Sequence, residues 1–458
     1  MPDAEGLAAF ALPSCVPEPR RDGRKAVAKF TLVLAFASLW TLFSIWVSQP
    51  WLEDLSNLTH PLAALFALTF IAYVPGFMNA FLLVSVVSDR RPPRRVPERY
   101  PGVSVLIAAY QEEAVIAETI RSLSAVAYPG PMEVLVLDDG STDGTVRVAE
   151  EGASLFHGSN ASLRVVRHDR NRGKAAVLNS GLRQARHELV VTIDADTRLQ
   201  PGSLTAIVER LLSDTPDTVA VAGAVLVANP DDSLLSGAQQ WDYFHGIAAV
   251  KRMQSMYNGT LVAQGAFSVY RRSVVLEAGG WPDTVGEDIV LSWALLKQGY
   301  RIGYAEDAFA WTMTPPSFSE LSRQRKRWAR GMIEALELHK EMLFQPRLRT
   351  MFIWWNLLYI PLDLTFSFVF LPGLVLALCG IFWVAGPLTL LVLPLAALWN
   401  IVIYRIQTRV LKREKVEMER NWVGFLVYAL AYSLILQPIA VWGYAAEMLG
   451  RKKEWGGT

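Results

Sequence analysis

Two acidic clusters stand directly after short hydrophobic runs in the middle of the chain. Asp138-Asp139-Gly140 follows the run 134–137, and Asp194-Ala195-Asp196 follows the run 189–193. Two carboxylates separated by one residue can bind one hard divalent cation, Mg²⁺ or Mn²⁺, which completes its coordination with substrate phosphates. A single Asp-x-Asp more often forms a turn, because Asp favours turns and caps. Two acidic strand ends in one region therefore favour a site for a nucleotide diphosphate.

A third acidic pair, Glu287-Asp288, follows Gly279-Gly280-Trp281 and begins a predicted helix over 289–298. A carboxylate at this place could act as the general base that deprotonates an acceptor hydroxyl. The alternative is structural, because the helix dipole favours an acidic residue in the first turn. Taken alone, the pair favours the structural role.

A basic and aromatic motif, Gln324-Arg325-Lys326-Arg327-Trp328, lies close to the second hydrophobic part of the chain. In a helix, Gln324, Arg327 and Trp328 share one face. The guanidinium could pair with diphosphate oxygens, and the indole offers a flat surface for a sugar ring. A basic interfacial helix anchored at lipid headgroups is the alternative.

Several classes of chemistry lack their usual motifs in this sequence. Gly173-Lys174 lacks the upstream glycine and the following Ser or Thr of a P-loop, and there is no G-x-G-x-x-G, so phosphoryl transfer from ATP and dinucleotide redox chemistry have no support. Two cysteines, Cys15 and Cys379, and 6 histidines without an H-x-x-x-H pair argue against a zinc enzyme. A net charge of +1 gives no support for nucleic-acid binding. A sugar nucleotide, whose leaving diphosphate is stabilised by a cation, fits better.

The acidic clusters must be positioned by an α/β domain. Short β-branched runs at 103–108, 134–137, 163–166 and 189–193 alternate with predicted helices, one from Glu112 and one over 174–186. This alternation predicts βαβ units and a parallel sheet with helices on both faces. Ligands of such sheets bind at the carboxyl ends of the strands, where the acidic clusters fall.

Long apolar stretches flank this domain and account for the 52% of hydrophobic residues and the mean hydropathy of +0.24. The residues 30–47, 62–87 and 422–446 carry no charge, and 352–404 carries only Asp363. Each stretch is long enough to cross about 30 Å of hydrocarbon, and 352–404 is long enough for two spans with a turn near Gly386-Pro387. We predict about five membrane helices, two before the domain and three after it.

Basic residues cluster before the first span, after the second, and at 405–420, whereas no Lys or Arg separates the first two spans. This pattern predicts a multi-pass protein of the inner or plasma membrane with its middle domain in the cytoplasm. Three C-terminal spans would place the basic residues 451–453 outside, so the side of the tail stays open. The predicted division is a tail at 1–29, two spans at 30–88, the domain at 89–350, about three spans at 351–446, and a tail at 447–458.

Taken in order, these motifs resemble the processive membrane glycosyltransferases of family 2, which include cellulose, chitin, hyaluronan and poly-N-acetylglucosamine synthases. The resemblance covers about residues 30–450. It rests on Ala109-Tyr110-Gln111-Glu112, Asp138-Asp139-Gly140, Arg172-Gly173-Lys174 with Asn179, Asp194-x-Asp196, Gly286-Glu287-Asp288 and Gln324-x-x-Arg327-Trp328. It implies a GT-A fold, that is, a nucleotide-sugar α/β domain with a Rossmann-like mixed sheet, flanked by transmembrane helices. It also implies an inverting reaction that forms β-linkages from UDP-α-sugars.

The resemblance implies a role for each motif residue. Asp288, together with Glu287, would form the catalytic acid pair, with Asp288 as the base. Gly286 replaces the Thr that usually precedes this pair, which leaves the local turn open. The remaining roles would be a uridine cradle at Tyr110, Glu112 and Asp139, nucleotide contacts at Lys174 and Asp194, an Mg²⁺ or Mn²⁺ ligand at Asp196 with Asp194 beside it, and the acceptor end and diphosphate at Gln324, Arg327 and Trp328.

The motifs at 286–293 and 324–331 are most similar to those of bacterial poly-β-1,6-N-acetylglucosamine synthases. This similarity implies a UDP-GlcNAc donor, a growing polysaccharide acceptor that leaves through the membrane helices, lipid contacts, and room for a small membrane accessory subunit; no nucleic acid is implied. The alternatives are a synthase of the hyaluronan, chitin or cellulose type and a non-processive transferase to a lipid acceptor. A transporter is a remote alternative, because Asp363 is the only charged residue within the apolar stretches 30–47, 62–87, 352–404 and 422–446.

Overall fold

The computed structural model describes residues 23–157, 160–419 and 421–450, and the side chains of all of these except 387–394. The chain begins with a hairpin of apolar helices. Its helices are α1 (Arg24–Val47), α2 (Gln49–Leu58), α3 (Pro61–Leu68) and α4 (Val74–Val87), with a π-helical turn at Thr69–Tyr73 that makes α3 and α4 continuous. The first helix starts before residue 30, because the Lys and Ala residues that precede it are good helix formers.

Eight strands form one sheet in the middle of the chain. The strands are β1 (Val103–Ala109), β2 (Met132–Asp138), β3 (Ala161–Arg167), β4 (Leu189–Asp194), β5 (Arg198–Leu199), β6 (Thr218–Val227), β7 (Phe267–Arg271) and β8 (Arg301–Thr312). Their order in the sheet is β3-β2-β1-β4-β7-β6-β8-β5. The first four are parallel, as the alternating pattern predicts, and β7 runs antiparallel to β4 and β6, so the sheet is mixed.

The register of the sheet brings the acidic strand ends together. On β1, Ala109 pairs with Asp138 of β2 and Ala108 pairs with Asp194 of β4. The two acidic clusters therefore flank the carboxyl end of β1, as expected for parallel strands.

Helices cover both faces of the sheet. They are α5 (Ile116–Ser124), α6 (Thr145–Gly152), α7 (Lys174–Gln184), α8 (Ser203–Ser213), α9 (Leu234–Trp241), α10 (Ala248–Met256), α11 (Arg272–Glu277), α12 (Glu287–Lys297) and α13 (Phe318–Leu338), with a π-helical turn at Asp242–Ile247. Val105 and Ile107 of β1 pack into the core on one face, and Leu106 packs into the core on the other. Because both faces are buried, the strands read as continuous hydrophobic runs.

The helix predicted from Glu112 begins four residues later, at Ile116. Gln111 has a left-handed backbone with φ 59°, which interrupts helical geometry. The amide of Gln111 donates to Ser141 Oγ at 3.0 Å, and the amide of Glu112 donates to Thr145 Oγ1 at 2.8 Å. These hydrogen bonds fix the loop after β1 to the segment after β2, and the helix therefore begins only beyond this loop.

The C-terminal part is helical. After a 3₁₀ turn at Lys340–Phe344 come α14 (Thr350–Thr365), α15 (Leu371–Leu378), α16 (Pro387–Arg413), α17 (Trp422–Val427) and α18 (Ser433–Met448), with π-helical turns at Phe366–Phe370 and Tyr428–Tyr432. The turn predicted near Gly386-Pro387 lies between α15 and α16.

Four helices of the described residues are long and apolar enough to cross a membrane: Arg24–Val47, Pro61–Val87, Thr350–Leu378 and Trp422–Met448. They match four of the predicted spans and flank the α/β domain. The fifth predicted span coincides with α16. The structure describes the backbone of this helix throughout, and its side chains only from residue 395 onward. The basic residues 451–453 of the predicted tail also lie outside the described residues.

A buried ion-pair network joins the domain to the segment that follows α4. Asp89 Oδ2 lies 2.9 Å from Arg91 Nε and 2.7 Å from Arg252 Nε of α10. Glu306 Oε2 of β8 lies 3.2 Å from Arg91 Nε and 3.1 Å from Arg252 Nη1. Two arginines and two carboxylates thus tie the end of the second apolar helix to the sheet.

Glu306, the carboxylate that β8 contributes to this network, belongs to a β-bulge. Gly223 and Ala224 of β6 are consecutive, yet they pair with Ala305 and Phe309, so residues 306–308 are extra on β8. The bulge turns Glu306 and Asp307 toward basic residues, and Asp307 Oδ2 lies 3.1 Å from Arg413 Nη2 at the end of α16.

Candidate active site

One cavity of about 650 Å³ lies at the carboxyl end of β4, between the sheet and the helices α10, α12 and α13. It brings together most of the residues that the sequence singles out. These are Lys174, Asp194, Asp196, Glu287, Asp288, Gln324, Arg327 and Trp328. The volume falls within the range of small-molecule sites.

Lys174, the first residue of α7, connects two of the acidic clusters. Its Nζ lies 2.5 Å from Asp194 Oδ1 and 3.6 Å from Glu287 Oε1. Burial alone would lower the pKa of Lys174, but the carboxylates of Asp194 and Glu287 raise it, so the ammonium stays charged. A fixed positive charge beside Asp194 suits a phosphate-bearing ligand.

Asp196 lines the cavity and is held by two hydroxyl groups. Its Oδ1 accepts hydrogen bonds from Thr312 Oγ1 at 3.1 Å and from Thr197 Oγ1 at 3.2 Å. Burial, with the neighbouring carboxylate of Asp194, raises the pKa of Asp196 to about 6. A bound cation would favour the ionised form.

The acidic residues fit a divalent cation that takes its remaining ligands from a substrate. Within the described residues, no group of three or more His, Cys, Asp or Glu side chains is arranged to bind a metal ion. Asp196 and Asp194 offer carboxylate oxygens in the cavity. Mg²⁺ is commonly bound by one or two carboxylates together with substrate phosphates, so this sparse donor set is compatible with it.

Asp288 is the second residue of α12 and faces the cavity. Its Oδ1 accepts from the amide of Ile289 at 2.7 Å, and its Oδ2 accepts from the amide of Gly265 at 3.3 Å. Glu287 beside it is buried, and burial raises the pKa of Glu287 to about 7, although Lys174 opposes this shift. The pair therefore combines an accessible carboxylate with a buried one.

Gly286, which precedes the pair, touches the backbone of α13. A Cβ added to Gly286 would lie 2.7 Å from Gly331 Cα, and a Cβ added to Gly331 would lie 2.8 Å from Gly286 Cα. The amide of Gly286 donates to Glu334 Oε2 at 3.1 Å. The start of α12 is thus fixed against the helix that bears Gln324, Arg327 and Trp328.

The three α13 residues all line the cavity, as their shared helix face predicts. The Gln324 side-chain oxygen is buried and has no hydrogen-bond partner among the described residues. Arg327 is exposed, and the Trp328 side chain is 41% exposed. Arg327 and Trp328 are therefore accessible to a ligand, and the Gln324 oxygen is a buried acceptor that a ligand hydroxyl could satisfy.

Tyr110, Glu112 and Asp139 lie outside the cavity lining, at the carboxyl ends of β1 and β2. Asp139 is buried, and its carboxylate accepts from the amides of Arg172 at 2.7 Å and Gly173 at 2.9 Å. It thus shapes the loop that precedes Lys174. Burial and the carboxylates of Asp196 and Asp194 raise the pKa of Glu112 to about 7, so Glu112 lies near the two acids of the Asp-x-Asp motif.

Several cavity residues are missed by sequence reasoning. The π-helical turn after α9 supplies Asp242 and Tyr243, α10 supplies Lys251 and Gln254, and α14 supplies Asn356 and Tyr359.

Lys251 is the most unusual of these residues, because it is a buried lysine whose Nζ donates to the carbonyl of Val262 at 2.5 Å. Burial lowers the pKa of Lys251 to about 8, and the carboxylate of Asp288 opposes this shift.

The sequence carries a weak signal for the two α14 residues of the cavity. Asn356 and Tyr359 are polar, stand three residues apart and lie within an apolar stretch, so they share one helix face.

Known proteins share this sequence pattern. Residues 101–331 match the family model described as "Glycosyltransferase like family 2". The poly-β-1,6-N-acetyl-D-glucosamine synthase of Staphylococcus aureus (strain COL) is 30% identical over 283 residues, and that of Staphylococcus epidermidis is 30% identical over 278 residues. Each alignment covers 58% of this chain and 66% of the relative, so the chain spans about two thirds of the length of the curated relatives it matches.

The fold also has a counterpart among solved structures. A mannosyltransferase from Pyrobaculum calidifontis, solved in complex with GDP-Man and Mn²⁺, has a TM-score of 0.55 and 19% identity. The match covers 84% of this chain and 99% of that one. It supports the GT-A type of fold that the motifs imply. Because the family model matches half of the chain and includes every predicted site residue, this protein belongs to glycosyltransferase family 2.

Proposed function

We propose that the chain is a processive, inverting β-glycosyltransferase that polymerises UDP-GlcNAc to poly-β-1,6-GlcNAc and extrudes the product through the membrane. The observation that carries the proposal is one cavity, which brings together Lys174, the acidic residues and the exposed indole of Trp328 and is also lined by Asn356 and Tyr359 of a candidate membrane helix. The names of the 30% identical relatives support the donor and the linkage.

The proposed reaction is one displacement at the anomeric carbon. Lys174 and Arg327 bind the diphosphate of the donor, and Asp194 and Asp196 face it. The acceptor hydroxyl attacks the anomeric carbon from the side opposite UDP, the bond between that carbon and the diphosphate oxygen breaks, and Asp288 takes the hydroxyl proton. Mg²⁺ or Mn²⁺, when bound at Asp196 and Asp194, would neutralise charge on the leaving diphosphate.

The proposed donor site extends from the cavity to the ends of β1 and β2. There, Tyr110, Glu112 and Asp139 would surround the uridine. The contribution of Asp139 is indirect. Both of its carboxylate oxygens accept hydrogen bonds from backbone amides, so it fixes the loop before Lys174.

The acceptor side explains why we favour a polymerase. Trp328 and Gln324 would hold the terminal sugar beside Asp288. The cavity continues from these residues to Asn356 and Tyr359, so a lengthened chain has a direction in which to move. We propose a cytoplasmic domain, a growing polysaccharide as acceptor, contacts to membrane lipid, and a small membrane accessory subunit as a further partner.

The test is a product assay with membranes that contain the full chain. Labelled UDP-GlcNAc, UDP-Glc and UDP-GlcA are supplied in turn with Mg²⁺, and the product is digested with linkage-specific hydrolases. We expect a polymer from UDP-GlcNAc that is cleaved only by a β-1,6-specific hydrolase. A polymer from another donor would instead indicate a hyaluronan-, chitin- or cellulose-type synthase, and a lipid carrying one sugar would refute the polymerase.

A further inference from the structure

A buried arginine lies against the exposed indole of Trp328. Arg325 precedes Trp328 by three residues in α13, so the two side chains are neighbours on one helix face. The Arg325 Cζ lies 4.1 Å from the centroid of the Trp328 ring, and Arg325 is 9% exposed. A guanidinium at this distance attracts the ring face, and the attraction is stronger when the cation is desolvated.

Two residues from other parts of the chain fix this guanidinium. Arg325 Nη2 donates to Asp242 Oδ2 at 2.9 Å and to Tyr432 Oη at 3.0 Å. Asp242 begins the π-helical turn Asp242–Ile247 and lines the cavity, whereas Tyr432 ends a π-helical turn within the candidate span Trp422–Met448. Arg325 is therefore held from both the catalytic domain and the last apolar helix.

The ring itself is also confined by Tyr243, whose centroid lies 6.4 Å away with an interplanar angle of 49°. Trp328 nevertheless keeps 41% of its surface exposed at the cavity. A purely structural ion pair between Arg325 and Asp242 would not need an aromatic ring with its surface open to a ligand site, and buried pairs are often replaceable by apolar residues without loss of stability.

We infer that Arg325 is a positioning residue which, held by Asp242 and Tyr432, sets the plane of the Trp328 indole on which the acceptor sugar rests. The inference rests on the proposed function, in which Trp328 meets the acceptor. It links the orientation of the acceptor surface to the position of the last membrane helix.

The experiment measures initial UDP release by the purified full chain in lipid nanodiscs. A defined β-1,6-linked GlcNAc oligosaccharide is varied at saturating UDP-GlcNAc, and the donor is varied separately. We expect Arg325→Met to raise the KM for the oligosaccharide by roughly two- to thirtyfold, the range of a cation–π contact, and to leave the KM for the donor unchanged. Arg325→Lys, which keeps the cation, should restore part of the affinity. Arg323→Met, an exposed change on the same helix, should leave both constants unchanged.

A double substitution separates positioning from general stability. In a Trp328→Ala background, Arg325→Met should cause no further increase in the KM for the oligosaccharide. An equal increase in both backgrounds, or a loss of folded protein with an unchanged KM, would overturn the inference.

A milder variant serves if Arg325→Met does not fold, because Asp242 would then be buried without its partner. Tyr432→Phe removes one hydrogen bond to Arg325 and should raise the acceptor KM by about two- to tenfold, and an unchanged KM would overturn the inference. A parent enzyme that releases UDP without extending the oligosaccharide would overturn the proposed function itself, and the inference with it.

Discussion

The contact between Gly286 and Gly331 leads to a quantitative prediction. Carbon atoms in contact are ordinarily about 3.5 Å apart or more, whereas a Cβ at Gly286 would lie 2.7 Å from Gly331 Cα. Gly286→Ala must therefore separate the start of α12 from α13 by about 0.8 Å. Asp288 lies on one side of this contact, and Gln324, Arg327 and Trp328 lie on the other.

A shift of this size should reduce turnover more than donor binding. Misplacement by about 1 Å can cost on the order of a hundredfold in rate, so we expect kcat to fall between about tenfold and a hundredfold. Overpacking should also cost about 1–3 kcal/mol of unfolding free energy. The proposed donor groups Lys174 and Asp194 lie on α7 and β4, and only Arg327 among the proposed diphosphate ligands lies on α13, so the KM for the UDP-sugar should rise by a smaller factor than kcat falls.

The assay is continuous UDP release by the purified chain, together with a thermal melt. Gly331→Ala should reproduce the loss, because its added Cβ would lie 2.8 Å from Gly286 Cα. Gly202→Ala is the matched control, since nothing lies within 4 Å of its added Cβ. Full turnover and an unchanged melting temperature in Gly286→Ala would show that α12 and α13 are not held in register by this contact.

Three further predictions concern the acidic residues. Asp288→Asn should retain binding of the UDP-sugar, measured by calorimetry, and lose about 10²- to 10⁴-fold in kcat, because it removes the proposed base; substantial turnover would refute that role. Asp196→Asn, or a chelator added to the parent, should slow UDP release at least about a hundredfold, and restoration by Mg²⁺ in the parent but not in the variant would identify the ligand. Because burial raises the pKa of Glu287 from 4.5 to about 7, the folded state binds more protons than the unfolded state in this window and loses stability as the pH rises through it. Glu287→Gln should therefore gain about 3 kcal/mol of unfolding free energy relative to the parent at pH 8 and nothing below pH 4. If thermal melts of the parent and the variant depended on pH in the same way, the raised pKa of Glu287 would be contradicted.

The sequence predicts those parts of the site that depend on local order. Asp138 and Asp194 end strands whose hydrophobic runs are easily read, and parallel pairing on both sides of β1 must bring such ends together. Gln324, Arg327 and Trp328 share a helix face by periodicity alone. These predictions need no knowledge of how distant segments pack.

Other parts of the site depend on packing between distant segments. Asp242 and Tyr243 reach the cavity from a π-helical turn, and Tyr359 reaches it from an apolar helix, so no local pattern relates them to the acidic motifs. The Gly286 contact depends on a close approach to Gly331, 45 residues later in the chain. The start of α5 lies four residues after the predicted position for a similar reason, because hydrogen bonds to the loop after β2 override the helix-forming tendency of Glu112.

The bulge at 306–308 gives β8 a second task besides completing the sheet. One end of the segment beyond Ala305 is tied by Glu306 and Asp307 to arginines beside the apolar helices, and the other end, Thr312, hydrogen-bonds Asp196. Thr312 lies four residues after Ala308, which corresponds to about 13 Å of strand. The length of this part of β8 therefore sets the distance between the carboxylate of Asp196 and the arginines beside the apolar helices. Inserting or deleting two residues between Ala308 and Thr312 would preserve which side chains face the core. It would nevertheless change the distance between Asp196 and the arginines beside the apolar helices.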